Sequence, residues 1–142
     1  MPVVHSASAA ETMRLGRSLA GRLAPGAVVA FHGELGSGKT TMIKGVAAGL
    51  GVAETVRSPS FVIATEYAGR VPVRHLDLYR VADAAELAGL DLEEYLGADG
   101  VCLIEWAERC ERMLPEDTVR VRLTVEGRGR RIEVSGAGDF PG

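Results

Sequence analysis

Eight residues decide most of what this chain can become. Gly33-Glu34-Leu35-Gly36-Ser37-Gly38-Lys39-Thr40 matches the pattern G-x-x-x-x-G-K-[ST], and a second threonine, Thr41, follows at once. The chemistry of that pattern needs those residue types. Glycines let the backbone curl until successive N–H groups converge on phosphate oxygens, and the start of the next helix adds its positive dipole end. Lys39 supplies a point charge for β and γ phosphates, and Thr40 a hydroxyl ligand for magnesium. Each charge-assisted bond contributes on the order of 1.5–3 kcal/mol, so several together support useful nucleotide affinity. The competing reading is a chance glycine turn in a chain with 18 glycines. Context opposes it. Ala27 to Phe31 is an uninterrupted apolar run, as in a strand buried on both faces, and Thr41 to Leu50 reads as a helix stopped by Gly49 and Gly51.

With 142 residues the chain can bury roughly 70% of its unfolded surface, enough for one compact core, so residues 1–142 are expected to form one domain. The composition, 46% hydrophobic and 25% charged, is that of a soluble globular protein. The net charge of −3 makes the whole chain a poor electrostatic binder of nucleic acid or anionic membrane. Cys102 and Cys110 form no CxxC pair and have no histidine at zinc-ligand spacing, which argues against a disulfide scaffold and a zinc site. No basic leader and no membrane-length apolar run is visible, so a cytosolic location is expected.

Ser8-Ala9-Ala10-Glu11 has the form of a capping box, and Met13, Leu15, Leu19 and Leu23 continue a helix toward Pro25-Gly26. Beyond the loop and its helix, Phe61 to Glu66 and Val71 to Leu78 read as a two-stranded ribbon turning at 67–70, with Pro72 suggesting an edge. Asp83 to Leu96 is helical in composition, interrupted at Gly89. Val101 to Ile104 is another buried strand, followed by a charged helix from Glu105 to Met113. Val119 to Val125 and Arg131 to Val134 predict a closing hairpin across Gly127-Arg128-Gly129, and 136–142 resembles a loose tail.

A phosphate loop needs a carboxylate at the tip of a neighbouring buried strand to hold magnesium, directly or through water. Glu105, after four apolar residues, fits; the bland reading is a solvated acid opening a helix. Asp77 is the second acid, and period-two geometry puts His75 and Asp77 on one face of their strand, either toward the site or on an exposed edge. Trp106, the only tryptophan, either packs beside the strand end or stacks on a nucleotide or partner. Ser58-Pro59-Ser60-Phe61 is placed where a nucleotide-sensing switch would run. Arg120, Arg122, Arg128, Arg130 and Arg131 form a basic cluster, either a solvated strand face or a contact for RNA or an acidic protein.

These segments together resemble the TsaE family, small ATPases of tRNA threonylcarbamoyladenosine biosynthesis, over about residues 8 to 135. The resemblance rests on the loop through Thr41, Ser58-Pro59-Ser60-Phe61, His75-Leu76-Asp77-Leu78-Tyr79-Arg80, Leu103-Ile104-Glu105-Trp106 and Leu114-Pro115. The loop is shared by many NTPases, whereas its combination with the HxDLYR and IEW segments in this order is specific. The family usually has threonine where this chain has Ser60, a change that keeps the hydroxyl. The resemblance implies an α/β P-loop NTPase-type three-layer fold with a central, mainly parallel sheet and antiparallel edge hairpins. It also implies ATP and Mg²⁺ as cofactors, with Gly33, Gly36, Ser37, Gly38, Lys39, Thr40 and Thr41 binding phosphates. Thr40 and Glu105 would attend the metal, with Asp77, Lys39 and Glu105 catalytic. Ser58 and Ser60 would sense the nucleotide, and Trp106 would lie near it. The implied partners are the threonylcarbamoyl-transferring pair of TsaB and TsaD type, with tRNA reached through them. A small-molecule kinase and a non-catalytic nucleotide-dependent adaptor remain the alternatives.

Overall fold

The computed structural model describes residues 2–57, 64–81, 83–89, 92–96, 99–138 and 140. In chain order the elements are β1 (Val3–Ser6), α1 (Ala9–Ala20), β2 (Val28–His32), α2 (Lys39–Gly49), β3 (Ala64–Ala68), β4 (Pro72–Asp77), α3 (Ala84–Ala88), β5 (Val101–Glu105), β6 (Val119–Glu126) and β7 (Gly129–Ser135). Short 3₁₀ segments cover Leu92–Glu94 and Ala107–Met113. The strands form one sheet in the order β1-β7-β6-β2-β5-β4-β3. Four of its five inner strands, β6, β2, β5 and β4, run parallel to one another, and each flank is completed by antiparallel pairing. This is the expected mixed α/β architecture.

Every residue of β2 and β5 is buried, because helical layers cover both faces of the sheet centre. Alternation assigns the faces. Val29, Phe31, Val73, Val101, Leu103 and Val121 join the core under α1 and α2. Val28, Ala30, Leu76, Cys102 and Ile104 point the other way, toward the layer that includes Ala107 and Cys110. The Cys102 and Cys110 thiols are free, and burial pushes them up to about 12 and about 11.

Helix α1 begins where the capping box predicts: the Ser8 hydroxyl accepts from the Glu11 N–H at 3.1 Å. The Glu11 carboxylate reaches one residue further back than the standard box, accepting from the Ala7 N–H at 2.7 Å. Helices α1 and α2 then pack so closely that their backbones nearly touch. A Cβ on Gly45 would lie 2.1 Å from the Met13 carbonyl oxygen.

Four expectations are corrected, and one strand is added that the sequence did not show. Strand β1 was hidden because Val3–Ser6 is too short to show a period; it is largely exposed and is a strand because it pairs with β7. Strand β4 is not an edge; Pro72 is its first residue, so the missing N–H costs no ladder bond inside the sheet, and β3 takes the edge. The helix expected over 83–96 shortens to α3, capped by Asp83, plus one 3₁₀ turn. The helix expected over 105–113 is 3₁₀ and kinked at Cys110, since Glu105 still belongs to β5 and Trp106 adopts φ 58°, ψ 41°. Ala137 and Phe140 are buried rather than loose. The expected strand residues 61–63 lie outside the described set.

Gly45→Ala is expected to force α1 and α2 apart and lower the melting temperature by at least about 5 °C, the result of overpacking a rigid contact. A thermal melt identical to the parent protein would contradict this account of the helix interface.

Candidate active site

The site lies where β2 ends and α2 begins, on the α1/α2 face of the sheet. Gly38 caps α2 at φ 101°, a left-handed conformation that suits glycine and lets the loop turn into the helix. The first α-helical bond is Met42 N–H to the Gly38 oxygen at 3.0 Å. The N–H groups of Gly38, Lys39, Thr40 and Thr41 therefore have no backbone acceptor among the described residues. They form the donor-rich helix start that attracts anions.

Lys39 is 5% exposed. Its ammonium donates to the Gly33 carbonyl and lies 3.7 Å from the centroid of the Trp106 ring. Burial lowers its pKa, while the carboxylates of Glu105, Glu108 and Asp77 oppose that shift. The Trp106 ring also meets Tyr79, with centroids 5.0 Å apart. The left-handed turn at Trp106 is the only positive φ outside glycine among the described residues, and it follows Glu105 directly.

Glu105 is 4% exposed, and both its oxygens are engaged. One accepts from the Thr40 hydroxyl at 3.0 Å, and the other is 2.7 Å from His75 Nε2. The opposite ring nitrogen, Nδ1, is buried without a hydrogen-bond partner among the described residues. Asp77 sits opposite Glu105 in the β4–β5 register, so both acids occupy adjacent strand tips on one face. Asp77 Oδ1 also accepts from the Tyr79 N–H at 3.0 Å. The polar face of β4 thus points inward, resolving the choice that alternation left open.

Of the residues singled out in the sequence, Gly33, Gly36, Ser37, Gly38, Lys39, Thr40 and Thr41 form the loop and helix start. Asp77, Glu105 and Trp106 come to the same end of the sheet. Ser58 and Ser60 lie outside the described residues. The basic cluster does not act as one face: Arg120 pairs with Glu111 at 2.8 Å, Arg131 with Glu133, and Arg130 turns to the loop. Sequence reasoning missed His75 as the partner of Glu105, although its i, i+2 relation to Asp77 was the available signal. It also missed a small cavity beside the loop lined by Ser8, Thr12, Gly38, Thr41, Arg128 and Arg130, whose members are too far apart in sequence to suggest one another.

The donor set fits a hard divalent cation shared with phosphate oxygens. Thr40 offers a hydroxyl and Glu105 a carboxylate oxygen at one point, the sparse oxygen set typical of magnesium held with a nucleotide. No group of three or more His, Cys, Asp or Glu side chains suited to a metal occurs among the described residues. A cation here would take its remaining ligands from water or from a bound ligand.

His75→Ala is expected to lower the unfolding free energy by about 3 kcal/mol, because it strips a buried carboxylate of one of its two partners and leaves a void. Urea denaturation checks this, and an unchanged midpoint would show that the pair contributes nothing to the fold.

Known proteins resemble this chain over most of its length. Residues 6–132 match the family model described as threonylcarbamoyl adenosine biosynthesis protein TsaE. The tRNA threonylcarbamoyladenosine biosynthesis protein TsaE of Treponema pallidum is 40% identical over 126 residues, covering 89% of this chain and 93% of that protein. The protein of the same name from Bacillus subtilis is 42% identical over 122 residues, covering 85% of this chain and 76% of its own. The crystal structure of Bacillus subtilis YdiB superposes with a TM-score of 0.83 at 34% identity, covering 97% of this chain and 86% of that one. On the match over 6–132 and the identity to these relatives, the chain belongs to the TsaE family of threonylcarbamoyl adenosine biosynthesis proteins.

Proposed function

We propose that this chain binds Mg·ATP on residues 33 to 41 and hydrolyses it as the ATP-using component of tRNA N6-threonylcarbamoyladenosine modification. The observation that supports this most is the 3.0 Å pairing of the Thr40 hydroxyl with Glu105, beside four backbone amides without backbone acceptors. A hydroxyl, a strand-tip carboxylate and a buried lysine around such amides are the parts that phosphoryl chemistry uses.

In this reading Gly33, Gly36, Ser37 and Gly38 shape the curl, and the N–H groups of residues 38 to 41 donate to phosphate oxygens. Lys39 leaves the Gly33 carbonyl and the Trp106 ring to meet the β and γ phosphates. Thr40 and Glu105 hold magnesium, which when bound neutralises charge on the polyphosphate. Asp77 orients the attacking water and accepts its proton as the oxygen bonds to the γ phosphorus and ADP departs. Ser58 and Ser60 belong to the segment that reads the nucleotide state, and Trp106 stays close to it.

Hydrolysis then drives or resets the threonylcarbamoyl-transferring pair of TsaB and TsaD type. The net charge of −3 favours reaching tRNA through that complex rather than holding it alone. ATP turnover is expected to be slow with the chain alone and strongly stimulated by the pair with tRNA. Equal turnover in both conditions would argue against the coupling.

Two variants separate binding from chemistry. Asp77→Ala is expected to retain ATP but release phosphate at least about tenfold more slowly, as positioning of the nucleophile is lost. Lys39→Ala is expected to weaken nucleotide binding itself. Phosphate release at the parent rate would remove Asp77 from the mechanism, and undiminished affinity without Lys39 would contradict the loop assignment.

A further inference from the structure

Arg130 was one of five arginines in the basic cluster, yet it is used differently from the others. The two-residue turn at Gly127-Arg128 folds β7 back along β6, and the second residue of β7 then meets the phosphate loop. Its Nε donates to the Ser37 carbonyl at 3.0 Å, and Nη2 to the Gly36 carbonyl at 3.0 Å. Its remaining terminal nitrogen, Nη1, donates to the Gly129 carbonyl at 2.8 Å. One planar fork therefore holds two consecutive loop carbonyls and ties itself to its own strand.

The consequence follows from peptide geometry. In a trans peptide the C=O and the next N–H point in opposite directions. Holding the Gly36 carbonyl sets the Ser37 N–H, which closes a turn on the Glu34 carbonyl at 3.0 Å. Holding the Ser37 carbonyl sends the Gly38 N–H away from the guanidinium, and that amide opens the series of four without backbone acceptors. These are glycine-flanked peptides, among the easiest in the chain to rotate, with φ of 81° at Gly36 and 101° at Gly38. Left to themselves they would sample many orientations, and ordering them on binding would oppose affinity.

We propose that Arg130 is a positioning residue that clamps the Gly36 and Ser37 carbonyls from outside, so that the loop amides are already aimed before a polyphosphate arrives. The inference rests on the nucleotide-binding reading of the loop for its purpose, but the clamp itself is a property of the protein without nucleotide. It also makes the C-terminal hairpin a structural part of the phosphate site. Lysine cannot replace arginine here, because one ammonium on a flexible stem cannot hold two carbonyls in a fixed plane.

The test measures backbone amide order parameters of Ser37 and Gly38 by ¹⁵N relaxation in the nucleotide-free full chain, for the parent, Arg130→Ala and Arg130→Lys. Mg·ATP affinity is measured by equilibrium dialysis on the same samples. The parent amides are expected near the rigid value of about 0.85, and both variants below about 0.6, with α1 and β2 amides unchanged. Both variants are expected to lose at least about fivefold in affinity. Should Arg130→Ala not fold, Arg130→Lys carries the comparison alone. Order parameters at the parent value in the folded variants would overturn the clamp. Full parent affinity in Arg130→Lys would also overturn it, since the arginine would then serve only as a positive charge. Loss of order in the variants, with no Mg·ATP retained by the parent protein, would leave the clamp standing and sink the nucleotide reading.

Discussion

The structure depends on holding a set of backbone donors open where β2 ends and α2 begins. Amides without acceptors are unfavourable in a protein interior, and a chain tolerates them only where a ligand or solvent completes them. Here the N–H groups of residues 38 to 41 have no backbone acceptor among the described residues because α2 starts abruptly at Lys39 from a left-handed Gly38. The fully buried β2 fixes where the loop begins, and the close packing of α2 on α1 fixes where it ends. Arg130 holds the middle. A loop so supported cannot relax into an ordinary turn that would satisfy its own donors.

The second constraint is electrostatic. A lysine and two acids converge on one end of the sheet, and the arrangement keeps them from collapsing onto one another. The Lys39 ammonium rests on a carbonyl and an aromatic face rather than on a carboxylate. Glu105 is engaged by Thr40 and His75. Among the described residues no direct bond joins the Lys39 ammonium to the Glu105 carboxylate. The left-handed turn at Trp106 is what brings the ring over Lys39, and such a turn is tolerated where surrounding packing holds it.

Much of this was legible in the amino-acid sequence, and the reasons are local. The loop, the apolar runs of β2 and β5 and the capping box at Ser8 are signals written within a few consecutive residues. So is the hairpin around Gly127-Arg128. What was not legible depends on contacts between distant segments. Strand β1 exists because β7 is beside it, and β4 is internal because β3 covers it. The bond from His75 to Glu105 spans 30 residues, and those from Arg130 to the loop span more than 90. The helix expected from Glu105 to Met113 failed for a different reason: its composition suits a helix, but Glu105 still belongs to β5 and Trp106 breaks the backbone path.

The central claim is that the open amides, Lys39 and the Thr40–Glu105 pair together grip a magnesium-bound triphosphate. Isothermal calorimetry of the purified full chain with Mg·ATP tests it most directly. The account predicts saturable one-to-one association that weakens when magnesium is chelated. No heat of association at millimolar Mg·ATP would contradict it.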